Sequence, residues 1–337
     1  MFEYLIAVEP LGLLYGYAGR TLSSKSSLMG LWGLHFPPDA TTLSGLFAAE
    51  YGNDAVQDLQ VAGPFWADTE VLQKTQDFYV PMPINYLAAA GTIQRTLVWQ
   101  SVPEESEEIG HWHDISNLPL DHKYTSSGWW IKLSEWDTPH QVKSAPWRFI
   151  PHLHPRMETN ERHVARLSTD TRSSLFLENA VQLYPNICLV YLSNQFLPTG
   201  WYRFGGEGHM VNITSYSLPN SIRTFLNRSP GCAFALITPA VWGSNRLSYR
   251  YPQAWKNQLV ALLTDRPVAF RYRMGGASNT KHLSRGRYAV PAGSVYVLEI
   301  PLEIPWHHWP ENWFPKEGPS LKRWGCGLAL PLKEAII

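Results

Sequence analysis

Gly205, Gly206 and Gly208, with Glu207 between them and His209 behind, form the stretch best suited to holding an anion. Glycine backbones let N–H groups crowd around a negative charge, as phosphate-binding turns do. The residues that follow read as a strand and carry no GK[ST] ending. The stretch is therefore neither a nucleotide phosphate loop nor a dinucleotide fingerprint, both of which feed a helix. The cations are unevenly placed. Arg266, Arg271, Arg273, Lys281, Arg285 and Arg287 fall in one run that contains no acidic residue, around the glycine-rich segment GGASNTKHLSRGR. A loop of that kind suits contact along phosphates, each contact adding salt-dependent attraction. Arg20 and Lys25 lie in a second acid-free loop. It precedes a helix whose first turn, with Thr42 and Ser44, offers N–H donors and a positive dipole end. Arg162 and Arg166 are a third candidate, with Glu158, Glu161 and Asp170 at hand to pair with them.

Catalysis has little support. The histidines at His111/His113, His152/His154 and His307/His308 have neither the HExxH form nor a CxxC companion. No GxSxG elbow is present, and Cys188, Cys232 and Cys326 are odd in number and far apart. We expect no catalytic residue, no metal and no cofactor.

Composition narrows the class further. The 337 residues hold 28 Lys plus Arg against 28 Asp plus Glu, so bulk charge cannot be what holds a nucleic acid. A local basic groove stays open, so where the charges fall matters more than their sum. The cysteine usage fits a reducing compartment, no run approaches the roughly 20 apolar residues that span a bilayer, and a cytoplasmic protein is expected. Fifteen tryptophans, 16 tyrosines and 13 phenylalanines are more in keeping with cores and subunit interfaces than with base stacking.

The elements that must position these residues follow from periodicity. Phe2–Glu9 alternates as a strand. FPPDATTLSGLFAAEYG starts a helix that Asp39, Thr41 or Thr42 caps, that buries Leu43, Leu46 and Phe47, and that stops at Gly52. VAGPFW is a short strand, and residues 68–170 form a long insertion with strands of its own and an acidic run, EESEE. Leu175–Leu192 reads as a hairpin turning at Pro185–Asn186, and Tyr251–Leu263 as an amphipathic helix. The two glycine stretches, FGGEG and WGCG, open the last strand of two matching sets. The fold class is α+β, with two tandem ferredoxin-like domains at 1–215 and 216–337 and the insertion in the first. Such a sheet-based protein with basic loops points to RNA.

The ordered motifs FPPDATTLSGLFAAEYG, VAGPFW, FGGEG, FALITPAVWGS, RYAVPAGSVYVLE and the closing Gly325-x-Gly327 span nearly the whole chain. In this order they resemble the third-subunit family of the Cmr complex, RAMP proteins of type III-B CRISPR systems. VPAGSVY is the most specific of them. The resemblance implies two RRM-like RAMP domains and a subunit with no nuclease activity that holds the crRNA 5′ handle. It also implies contact with the large palm-domain subunit and the backbone RAMP subunit, and so indirectly with target RNA. By position, Gly205–Gly208 and Gly325–Gly327 become the two RAMP glycine loops, and their residues, with Glu207 and His209, count as RNA-binding together with the helix start and the 281–287 loop. This chain has Gly208 and His209 where the family usually carries arginines after Gly-Gly-Glu. The alternative reading is a RAMP-fold endoribonuclease that processes crRNA precursor with His35 or His209 as general acid/base. A third is a scaffold that touches protein alone.

Overall fold

The computed structural model describes residues 1–15, 36–101, 110–116, 123–155, 157–158, 163–164, 175–274 and 282–333. Strand β1 (Tyr4–Pro10) buries both faces, Ile6 and Val8 to one side and Leu5 and Ala7 to the other, and so runs through the middle of a sheet. Its companions are β2 (Val61–Asp68), β3 (Tyr79–Pro81), β4 (Trp129–Lys132), β5 (Lys143–Ser144), β6 (Ile187–Ser193), β7 (Gly200–Phe204) and β8 (His209–Ser217). The eight lie in the order β7-β8-β1-β6-β2-β3-β4-β5. The central neighbours are antiparallel, with Ala7 opposite Val190 on one side and Thr214 on the other.

Helix α1 (Ala40–Tyr51) covers the Ile6 face. Asp39 holds the extended N-cap backbone and Gly52 ends the helix, while Leu43, Leu46 and Phe47 pack on Val61, Leu189, Tyr191, Val211 and Ile213. The opposite face meets a second sheet made of β9 (Gly231–Leu236), β10 (Leu259–Leu263), β11 (Val295–Leu302) and β12 (Ala329–Pro331), in the order β10-β11-β9-β12. Counted along the chain, the core strands of the first sheet (β1, β2, β6, β8) and those of the second (β9 to β12) share one order: fourth, first, third, second. Only the first sheet has a helix, α1, between its first and second strands. The second sheet uses short 3-10 turns such as Gln253–Trp255 and Leu321–Trp324.

One hydrophobic core joins the two sheets, running from Leu5, Ala7 and Val190 to Phe234, Trp242 and Leu330. The VPAGSVY turn docks at this junction. The Gly293 carbonyl accepts from Ile84 N–H at 2.9 Å, and a β-carbon on Gly293 would stand 2.7 Å from the Met82 carbonyl oxygen. Arg323 donates to the carbonyls of Leu59 (3.1 Å) and Val56, and the Trp136 indole donates to Pro331 at 2.8 Å. Trp136, Trp242, Trp255, Trp306 and Trp309 are all fully buried in this core. Among the described residues no helix is long and apolar enough to cross a membrane.

Three expectations change. The two apolar runs around Pro185–Asn186 do not pair with each other. The chain does turn there, with Asn186 at φ 60°, but Leu175–Leu183 joins Trp147–Pro155 and Leu14–Tyr15, whereas β6 pairs with β1 and β2. Tyr251–Leu263 is not a helix. Pro252 precedes a single 3-10 turn, and LVALL becomes β10 because β11 offers it a paired edge, with Leu262 opposite Tyr296. A short apolar run has no period of its own to resist that pairing. The 68–170 segment does carry its own strands, yet it is not a mere excursion, since β3, β4 and β5 extend the large sheet beyond β2.

Candidate nucleic-acid interface

Strands β7 and β8 form a hairpin whose tip is the glycine stretch. Gly208 N–H donates to Gly205 carbonyl at 3.1 Å, and both glycines take positive φ. Phe204, just before the tip, is buried in the core beneath α1, which brings the tip against the helix start. A β-carbon on Gly205 would lie 3.7 Å from Thr42 Cγ2, so the two segments singled out in the sequence are neighbours. The buried Tyr191 hydroxyl donates to Pro38 carbonyl at 2.6 Å and fixes how the chain enters the helix. The Asp39 side chain makes no capping bond; its carbonyl accepts from Thr42 N–H at 2.8 Å, and the first-turn amides before Thr42 have no acceptor within the helix.

Alternation along β7 decides what faces solvent. Tyr202 and Phe204 turn toward the α1 core, so Trp201 and Arg203 project outward, Trp201 with 73% of its surface exposed. Arg203 lies along the turn: a β-carbon on Gly208 would be 3.8 Å from its Cδ. The cation at this turn therefore precedes the glycines instead of following them. Sequence reasoning missed it, although the alternation of GWYRF was the available signal. Glu207 is exposed at the tip, Ser44 is half-buried on α1, and Gly206 is exposed. Burial pushes the His209 imidazole below its ordinary pKa, with Glu207 opposing, so this side chain brings no positive charge to the turn at neutral pH. Below the helix start a small crevice opens between the two sheets, lined by Asp39, Thr41, Gly63, Thr238, Phe270 and Trp324 among others.

The second glycine pair behaves differently. Gly325 and Gly327 are buried, so the RNA-facing surface expected for them is not a surface. A β-carbon on Gly325 would meet Ala62 Cβ at 2.3 Å, and one on Gly327 would meet the Trp242 ring at 2.6 Å. Thr238 Oγ1 donates to Gly325 carbonyl at 2.5 Å and locks the turn. This pair lets the closing segment lie on β2 and on the tryptophan core.

The 281–287 segment also divides. Arg287 is buried and fully engaged: it donates to Glu317 Oε1 at 2.6 Å and to the carbonyls of Ser244 and Asn245 at 3.0 and 3.1 Å. It is a structural ion pair and not a free phosphate ligand. Arg285 is exposed, with one Nη1 bond to Asn245 carbonyl at 3.0 Å. Arg20, Lys25, His35, Arg162, Arg166 and Lys281 lie outside the described residues. Among the described residues no three His, Cys, Asp or Glu side chains converge as a metal site.

The sequence profile of the CRISPR-associated protein (Cas_Cmr3) family matches residues 35–334, and the chain belongs to that family. Three solved structures are also similar to it. A chain of the "Type III-B Cmr-beta bound to cognate target RNA" has 10% identity over 87% of this chain and 86% of that one, with a TM-score of 0.48. A chain of the "Csm1-Csm4 cassette in complex with pppApA" has 11% identity over 90% and 98%, with a TM-score of 0.32. A chain of the "Csm3-Csm4 subcomplex in the type III-A CRISPR-Cas interference complex" has 9% identity over 90% and 99%, also at 0.32. No curated protein sequence matches.

Proposed function

We propose that this chain is a non-catalytic crRNA-binding subunit of a type III CRISPR effector complex. It holds the crRNA 5′ handle and bridges the large palm-domain subunit to the backbone RAMP subunits in antiviral defence. Family membership supports the class, and the juxtaposition of the glycine turn with the first turn of α1 is the observation that carries the site. The helix start flanks the turn at Gly205 and Arg203 flanks it at Gly208, and helix amides, turn amides and a guanidinium are donors that a phosphodiester backbone takes. Trp201, beside Arg203, offers a stacking face for an unpaired handle base. The shared strand order of the two sheets supports reading them as two ferredoxin-like units, 1–215 and 216–337, which have lost most of their helices. Target-RNA specificity then comes from guide pairing and not from this protein.

The test is photo-crosslinking in the assembled complex, with 4-thiouridine placed through the crRNA handle. Adducts on residues 36–45 and 200–210, with no cleavage of precursor by the purified chain, are the expected result. Handle crosslinks that fall only on other subunits would remove the assignment. Precursor cleavage that disappears in His209→Ala would replace it with the endoribonuclease reading.

A further inference from the structure

On the second half of the molecule a separate surface combines cations with exposed aromatic rings. The ribbon Trp242–Gly243/Ser248–Tyr249 turns through Ser244–Leu247 and lies beside the strand Arg287–Ala289, with Tyr288 N–H donating to Ser248 Oγ at 3.3 Å. Arg246, Arg250 and Arg285 are all exposed on it, and Arg285 is tied to the ribbon through Asn245 carbonyl. Tyr288 is 65% exposed and Tyr249 41%. Tyr249 owes its position to Gly243: a β-carbon there would stand 2.8 Å from Tyr249 Cδ2, so only glycine lets the ring lie across the ribbon. The carboxylate bonded to this region, Glu317, is neutralised by Arg287 beneath it. Among the described residues Arg246 and Arg250 form no ion pair.

We propose that this face binds single-stranded polynucleotide without base selection, at a site distinct from the glycine turn. The charge argument is direct. Three guanidinium groups with no compensating carboxylate complement a polyanion. The tyrosines choose among polyanions, because exposed rings interleaved with arginines stack bases, which an acidic polypeptide does not supply. Phosphates would lie on Arg246, Arg250 and Arg285, and bases on Tyr288 and Tyr249.

The experiment uses the full chain and fluorescent oligouridine and oligothymidine of about a dozen nucleotides, a length suited to one such groove. Binding is followed by anisotropy across a salt series. Arg246→Ala with Arg250→Ala, which leaves the Arg285 and Arg287 bonds intact, is expected to weaken binding about tenfold at low salt. It should also lower the log–log salt slope by about 1.4, two phosphate contacts on a single strand. Tyr288→Ala is expected to cost about tenfold, Tyr288→Phe to restore wild-type affinity, and an abasic strand to be insensitive to Tyr288→Ala. Preference for the uridine or the thymidine probe assigns RNA or DNA as the natural strand, and equal binding assigns both. An unchanged salt slope in the double arginine variant overturns the proposal. So does full affinity in Tyr288→Ala, or displacement of the probe by polyglutamate at equal charge, which would make the face an acidic-protein dock. These readouts use the chain alone, so their failure leaves the handle assignment untouched, and failed handle crosslinking leaves this surface standing.

Discussion

Gly325 rests on Ala62 so closely that a β-carbon added to it would meet Ala62 Cβ at 2.3 Å and Cα at 2.5 Å. The two residues come from the closing turn of the second half and from β2 of the first, so this contact sets how near the two sheets stand. Gly325 also has φ of 69°, where a side chain is strained. Gly325→Ala is therefore expected to destabilise the protein by roughly 3 kcal/mol, from overpacking plus left-handed strain. Thermal unfolding measures it, and an unchanged midpoint would show that the halves do not meet at this point.

Arg285 and Arg287 look equivalent in the sequence and should separate in the laboratory. Arg287→Ala leaves the Glu317 side chain, only 11% exposed, without its cation and is expected to cost about 3 kcal/mol. Arg285→Ala removes an exposed side chain and should stay within about 0.5 kcal/mol. Urea unfolding of the two variants decides it. Equal losses would contradict the burial difference.

Arg203 is the cation placed along the glycine turn. Arg203→Ala should leave the unfolding midpoint unchanged but weaken crRNA handle retention severalfold, and it should lower the salt slope by about 0.7. Filter binding over a salt series reads both quantities. A slope equal to that of the wild type would take Arg203 away from the phosphates.

His307 titrates in an unfavourable place. Burial, then the neighbouring His308 and Lys322, push its pKa down to about 4. The unfolded chain takes up this proton near pH 6.5, before the folded protein does. The stabilising contribution is therefore complete above about pH 6.5 and is lost as pH falls toward 4. His307→Asn should flatten the pH dependence of the melting temperature across that window. An identical profile in the variant would mean that His307 titrates normally.

Local pattern alone was enough for several elements. The alternation of Phe2–Glu9 gave β1, and the spacing of Leu43, Leu46 and Phe47 between Asp39 and Gly52 gave α1 and the face it buries. The family motifs were legible as well, because each is a contiguous string of residues. What those strings do was not legible. VPAGSVY and Gly325-x-Gly327 are junction pieces whose partners, Met82, Ile84 and Ala62, lie more than two hundred residues away.

The sequence by itself determined the strands and helix that carry their own periodicity, the glycine turn at 205–208 and the family. Only the tertiary structure decided that Leu175–Leu183 and β6 enter different sheets, that LVALL is a strand, and that Arg287 is buried while Arg285 is exposed. It also decided that Arg203 stands at the turn. The physical reason is one of range. Periodicity and turn chemistry act over a few residues, whereas strand pairing, burial and ion pairing depend on partners that folding brings together from the far ends of the chain.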